Sequence, residues 1–275
     1  MAGTLYVLAT PIGNLGDLSP RAAEVLCRVA VIAAEDTRET LKLRDHVGSK
    51  ARMISWHAHS APRRIAEIVG LLAGGADVAL ATDAGTPGVS DPGPALVGAV
   101  LAAGLSVVPV PGASAVATAL MASGLPADRY LFLGFAPRKG AERDEWLARI
   151  QGAEFSVVCF EAPGRLNGLL GDLVATCGPD REAFVGREMT KRFEEYRRGR
   201  LGELRARFET AEVRGEVTLV IEGVVLAKPV IDEGPARAVA RSLVQSGIER
   251  SRVAKAVADA FGLSRNESYR VAMEE

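Results

Sequence analysis

Residues 4–22 read TLYVLATPIGNLGDLSPRA, and this stretch sets the fold. The apolar run 4–10 stops at Pro11 and predicts a buried strand. The loop that follows, PIGNLGDLS, is too rich in Gly and turn formers to extend it. Ser19-Pro20 then marks a helix start: Ser caps, and Pro stands at the first helical position, where a missing N–H costs nothing. Ala23, Leu26 and Ala30 follow at helical spacing, and 31–34 (VIAA) predicts a second buried strand that ends in Glu35-Asp36-Thr37-Arg38.

The strand–loop–helix unit repeats outward from there. A helix is expected at 62–73, a strand at 76–81, a helix at 95–103, a strand at 105–110 and a small-residue helix at 113–123. Such alternation implies a parallel-rich sheet with helices on both faces. Beyond the charged stretch 138–143, read as exposed, strands are expected at 155–160, 183–186, 194–198 and 217–222, with a helix at 165–175. Their polar flanks suit a mixed or antiparallel sheet. Ala227-Lys228-Pro229 and Glu233-Gly234-Pro235 bracket a linker, and residues 236–275 read as helical, with a capping box at Ser264 and Glu267. The expected organisation is α/β, with domains at 1–124 and 125–226 and a C-terminal helical extension at 235–275.

Composition narrows the function. The 275 residues are 48% hydrophobic, enough for a sizeable core. Lys+Arg (33) and Asp+Glu (34) nearly cancel, so a nucleic-acid site must be a local patch. Three scattered cysteines, Cys27, Cys159 and Cys177, form no CxxC and fit a reducing cytoplasm. The N-terminus runs directly into a strand, without a leader pattern. No apolar run approaches the ~20 residues of a membrane span. His57 and His59 lack further ligands nearby, so no metal site is expected. Trp56 beside them is read as a substrate-touching side chain.

Ligands of open parallel sheets bind beyond the carboxyl ends of the strands. Four loops fall at such ends: PIGNLGD, EDTR, DAGTPGVSDPG (83–93) and PGASA. The first has neither a Walker ending nor a GxGxxG pattern. Their small residues admit close backbone approach and suit an adenine and an amino-acid moiety better than a polyphosphate.

These same runs, together with LFLGFAPRKG, FEAPGRL, GREMTKRFEEYRRG, VTLVIEG and the terminal GLSRNESYR, resemble the tetrapyrrole-methylase superfamily. Within it they are most similar to the bacterial 16S rRNA (cytidine-2'-O)-methyltransferase family, rRNA small-subunit methyltransferase I. The resemblance implies two α/β domains with an S-adenosylmethionine cleft between them, a helix-turn-helix-like extension and a homodimer. It also implies methyl transfer to a cytidine ribose 2'-hydroxyl in the decoding region of 16S rRNA, on the assembled small subunit. A tetrapyrrole or small-metabolite methylase, or a non-catalytic ribosome-associated RNA-binding factor, are the competing readings.

Carried onto this chain, the cofactor contacts implied are Pro11, Gly85, Thr86, Pro87, Ser114, Ala115, Phe160, Glu161, Val217 and Thr218. Asp83 joins them or merely caps its turn. A ribose hydroxyl is a poor nucleophile, so a positioned base or cation should assist. Glu35, Asp36 and Arg38, with Glu188 and Lys191, are the catalytic candidates, framing the acceptor. Glu188 and Lys191, three apart, also make a plausible local ion pair. Residues 181–207 carry nine Lys or Arg against five acids. From this stripe and the tail come the RNA-binding candidates Arg138, Lys139, Arg187, Arg192, Arg197, Arg198, Arg252, Lys255 and Arg265.

Overall fold

The opening apolar run becomes β1 (Thr4–Leu8) in the computed structural model, and fully buried apolar runs recur at 31–34 and 78–81. β2 (Val31–Ala34), β3 (Arg52–Ser55), β4 (Val78–Ala81) and β5 (Ser106–Val110) join it in the order β3-β2-β4-β1-β5, every pairing parallel. The structure describes residues 1–56, 62–210, 212–224 and 233–274. It divides into two compact units, Met1–Val224 and Val225–Glu275.

Alternate residues of the first sheet face opposite ways. Leu8, Ile32, Ala34 and Ala79 pack with Ala22, Val25 and Leu26 of α1 (Pro20–Arg28) and Leu43 of α2 (Thr37–His46). Leu5, Val31, Ala33 and Leu80 pack with Ile68 and Leu72 of α3 (Pro62–Ala73) and Leu96 and Val100 of α4 (Pro94–Ala102). Both faces are covered at the centre of the sheet, which is why β2 and β4 read as continuous rather than alternating apolar runs.

The second sheet contains β6 (Tyr130–Phe135), β7 (Ser156–Glu161), β8 (Glu182–Arg187), β9 (Glu195–Arg200) and β10 (Val217–Ile221), in the order β6-β7-β10-β8-β9. β6 and β7 are parallel and the remaining pairings antiparallel, the mixed sheet expected from the polar flanks. One face packs against α6 (Ala141–Gln151), α7 (Leu166–Cys177) and α8 (Leu201–Phe208). The other receives α5 (Ala115–Ser123): Val116, Ala119 and Leu120 meet Val158, Phe184 and Val220. Ile12, from the loop after β1, joins this cluster, so one core ties the two sheets of the first unit together.

Three expectations are corrected. Arg143, expected exposed, lies at the start of α6; it donates to Asp172 Oδ2 at 2.8 Å and to the Pro137 carbonyl at 2.6 Å. Trp56 is not presented to a ligand: it is buried in the core beneath α3. Glu233-Gly234-Pro235 is not linker but the first turn of α9 (Glu233–Gln245), where proline is tolerated. His57, His59 and Ala227-Lys228-Pro229 lie outside the described residues.

The second unit is helical: α9, α10 (Arg250–Phe261) and α11 (Arg265–Met273) enclose Ala236, Ala240, Val253, Val257 and Val271. Gly262 ends α10 in the left-handed conformation, and the Ser264–Glu267 capping box starts α11 as expected. No helix among the described residues is long and apolar enough to cross a membrane.

Candidate cofactor cleft

Parallel register brings four loops to one edge. Leu8 stands beside Ala81 and Val110, and Ala34 beside Ala81, so the ends of β1, β2, β4 and β5 are level. Thr10 and Gly85 exchange backbone hydrogen bonds of 2.8 and 3.1 Å, clipping the first loop to the third. Gly85 has φ +79, and a Cβ there would meet Ile12 Cγ2 at 3.3 Å. Thr86 Oγ1 donates to the Ala113 carbonyl at 3.2 Å, which ties in the fourth loop. Ser114 caps α5.

Between these loops and the second sheet lies a cavity of about 350 Å³. That is at the small end of the roughly 300–1,000 Å³ usual for small-molecule sites. Of the residues expected to hold a cofactor, Gly85, Thr86, Ser114, Ala115, Phe160, Glu161, Val217 and Thr218 line it. Pro11, Asp83 and Pro87 are not in its wall. Sequence reasoning missed Ile12, Ala84, Val89, Ser90, Asp91, Phe135, Ala162, Pro163, Met189, Gly215 and Glu216, which also line it. Several follow directly on recognised strand ends. Asp91 stood in the DAGTPGVSDPG loop, a carboxylate among glycines and prolines at a ligand-bearing edge.

Glu161 closes β7 with its side chain fully buried. Its Oε1 accepts from the Ala162 N–H at 2.7 Å and from Arg165 Nε at 2.6 Å, and Arg165 Nη2 also bonds it. Its Oε2 is buried and has no partner among the described residues. Its carboxylate is thus held chiefly by Arg165 and the chain itself. Phe160 sits edge-on to Phe132 and Phe135, with centroids at 5.0 and 5.4 Å, giving an aromatic wall beside it.

The catalytic candidates fall into two groups beside the cavity, and none of the five lines it. Asp36 caps α2 by accepting from the Arg38 N–H, and its carboxylate pairs with the Arg38 guanidinium at 2.5 Å. Bonding to Arg38 holds Asp36 down at about 2, so it is a poor proton acceptor at neutral pH. The Asp36 N–H donates to Asp83 Oδ1 at 2.8 Å, and the Asp83 N–H to Glu35 Oε2 at 3.4 Å. Asp83 therefore braces the loop after β2 against the loop after β4. Burial raises both Glu35 and Asp83 above ordinary carboxylates.

Glu188 and Lys191 make the local ion pair, at 2.9 Å. Lys191 also pairs with Glu216 at 3.2 Å, and Glu188 accepts from the Glu216 N–H at 3.0 Å. Burial acts to raise Glu188, but hydrogen bonds from Lys191 and Glu216 outweigh it and the net shift is downward.

The RNA-binding candidates differ in freedom. Arg138, Lys139 and Arg192 are exposed, Arg192 lying 5.4 Å from the ring centroid of Phe193. Arg187 and Arg197 are held by Glu195 at 3.0 and 2.8 Å, and Arg198 by Glu182 at 3.6 Å. The stripe on β9 is thus partly neutralised by its own acids. Arg252, Lys255 and Arg265 are exposed on the helices of the second unit.

With a parallel sheet, a mixed sheet and a cavity at their junction, the comparisons with known proteins fall into place. The family described as tetrapyrrole (corrin/porphyrin) methylases matches residues 4–205. The chain belongs to that family and, within it, to the ribosomal RNA small subunit methyltransferase I group. It is 44% identical over 269 residues to "Ribosomal RNA small subunit methyltransferase I" of Micromonospora olivasterospora, covering 98% of this chain and 86% of that one. The protein of the same name from Synechocystis sp. is 42% identical, covering 99% and 98%. Among solved structures, uroporphyrin-III C-methyltransferase from Thermus thermophilus, complexed with S-adenyl homocysteine, superposes with TM-score 0.56. At 20% identity over 80% of this chain and 97% of that one, it shares the fold.

Proposed function

We infer that the chain transfers a methyl group from S-adenosylmethionine to the ribose 2'-hydroxyl of a cytidine in the decoding region of 16S rRNA. The substrate is the assembled small subunit, and the enzyme works as a cytoplasmic homodimer. Residues 1–124 and 125–226 serve as its two lobes, and the helices from 235 onward as an RNA-docking module. The relatives' shared name supports the acceptor. On the cofactor side, the observation that carries the reading is that eight of the residues expected to hold S-adenosylmethionine, from four separate loops and strand ends, line one cavity. That cavity also carries two acids, Asp91 and Glu216, and, among the described residues, no lysine or arginine. The hydroxyl, amino and ammonium groups of S-adenosylmethionine suit such a lining, whereas an ionised polyphosphate does not.

Glu161, Thr86, Ser114 and Thr218 bring polar atoms to a mostly apolar wall, and Phe160 and Val217 offer a face for the adenine. Gly85, left-handed and close to Ile12, lets the backbone come near the ligand. When bound, the cofactor supplies an already activated sulfonium methyl. The chain's task is then to hold the acceptor oxygen in line and to exclude water. The Glu188–Lys191–Glu216 brace fixes the cavity rim, and Asp36 with Arg38 fixes the start of α2 above β2. Exposed Arg138, Lys139 and Arg192, and Arg252, Lys255 and Arg265 of the tail, supply phosphate contacts.

The test is transfer of labelled methyl to unmodified small subunits, to naked 16S rRNA and to a tetrapyrrole, side by side. Subunits are the expected acceptor. Label in the tetrapyrrole alone would replace this reading. Sedimentation of the purified chain as a monomer would remove the homodimer.

A further inference from the structure

One carboxylate of the cavity lining, Asp91, pairs with no cation among the described residues and has the neutral hydroxyl of Thr82 against it. The others are engaged. Glu161 is locked to Arg165 and is fully buried. Glu216 reaches out to Lys191, as does Glu188. Asp36 is tied to Arg38, while Glu35 and Asp83 face the backbone of each other's loop. Asp91 lines the cavity, as Glu161 and Glu216 do, but forms no ion pair among the described residues. The charged groups that act on it are Glu35 from the end of β2, Asp83 from the end of β4 and Glu216 ahead of β10, all acidic. Nearby cations are already engaged: Arg38 with Asp36, and Lys191 with Glu188 and Glu216.

The loop that carries Asp91 is built to hold it there. Val89 N–H closes a turn on the Thr86 carbonyl at 3.1 Å, and Gly88 follows the left-handed path at φ +87. Ser90 is left-handed too, at φ +64, an unfavourable place for a residue with a side chain. It is held by the second sheet: a Cβ on Gly134 of β6 would lie 3.3 Å from Ser90 Oγ. A strained residue wedged between two sheets, directly before a cavity-facing acid, is the kind of backbone that persists where the next side chain must be aimed.

We propose that Asp91 accepts the proton of the acceptor hydroxyl as the methyl group is transferred. This rests on the methyltransferase reading above and deepens it. As the hydroxyl oxygen bonds the methyl carbon, the carbon–sulfur bond breaks and its electron pair stays on sulfur. The O–H bond breaks, its pair remains on oxygen, and the proton goes to an Asp91 carboxylate oxygen and then to solvent. Burial, reinforced by Glu35, pushes Asp91 up to about 7, which matches a proton acceptor working at neutral pH.

The experiment compares wild type, Asp91→Asn and Asp91→Glu on unmodified small subunits, with S-adenosylmethionine binding measured by calorimetry on each. Asp91→Asn is expected to bind cofactor within about threefold of wild type, which also shows that it folds. Its kcat should fall by roughly 10²–10⁴-fold, the usual share of a general base, with little change in KM for subunits. The wild-type rate should rise with pH through about 7, a limb absent from the residual activity of Asp91→Asn. Asp91→Glu should recover part of the rate. If wild type and Asp91→Asn transfer methyl equally, the assignment is overturned and the functional reading stands. A rate loss matched by an equal loss of cofactor binding also overturns it. If wild type itself transfers nothing to RNA, the functional reading falls and this inference with it.

Discussion

The side chain of Lys191 lies on Gly13: a methyl group built on Gly13 would stand 2.3 Å from Lys191 Cγ. Gly13 belongs to the loop after β1, Lys191 to the loop after β8, and the ammonium beyond this point pairs with Glu188 and Glu216. The close approach fastens one sheet's ligand loop to the other sheet.

Gly13→Ala therefore forces the lysine stem aside and lengthens its ion pairs. A loss of about 1–3 kcal/mol is expected, as for other overpacked sites. Adding Lys191→Ala should restore part of it, so the two changes are non-additive in a denaturation double-mutant cycle. Additive losses would mean that the two residues are not coupled.

Glu161→Gln keeps the shape of the cavity wall but removes the charge that Arg165 pairs with. A hydrogen bond to a charged group contributes about 1.5–3 kcal/mol, so cofactor affinity should weaken by roughly tenfold or more. Calorimetry with S-adenosylmethionine reads this directly. Unchanged affinity would take Glu161 out of the cofactor site.

The acid at position 91 also marks stability. Its value is raised from 3.8 to about 7, chiefly by burial, so between these limits the folded state binds more protons than the unfolded one. Its contribution is present below about 4 and is lost as pH rises to about 7. Asp91→Asn should be the more stable protein at pH 8, and the difference should shrink toward pH 4. Parallel urea midpoints across that range would show the titration is elsewhere.

Replacing Arg252, Lys255 and Arg265 with Ala should leave cofactor binding intact, since all three lie in the helical unit and outside the cavity lining. Subunit affinity should drop by about tenfold near physiological salt. The slope of log K against log salt should shrink by roughly 0.7–0.9 for each phosphate that is no longer neutralised. An unchanged slope would remove the tail from RNA docking.

Much of the fold is legible in the residues because strands buried on both faces leave continuous apolar runs. VIAA at 31–34 and PRRIAEIVGLLA at 62–73 give β2 and α3 with the bounds read from sequence. Elements whose apolar signal is thin escape such a reading. In α2 only Thr40 and Leu43 are buried, so charges dominate the pattern, although Asp36 with Glu39 offers a capping signature. In α6 three buried residues, Trp146, Leu147 and Ile150, are scattered among charges, and the stretch ahead of them reads as exposed. At the cleft, the loops mark the cofactor wall well, because backbone approach demands small residues. The catalytic candidates rest on charge alone. Sequence does not show which acids are already paired, and Glu188 and Asp36 both are.

The most direct measurement is nucleoside analysis of 16S rRNA after unmodified small subunits have been incubated with this protein and methyl-labelled S-adenosylmethionine. The account predicts label in a single 2'-O-methylated cytidine of the decoding region. Label on a base, on another nucleotide, or nowhere in the RNA while cofactor is still bound would contradict it.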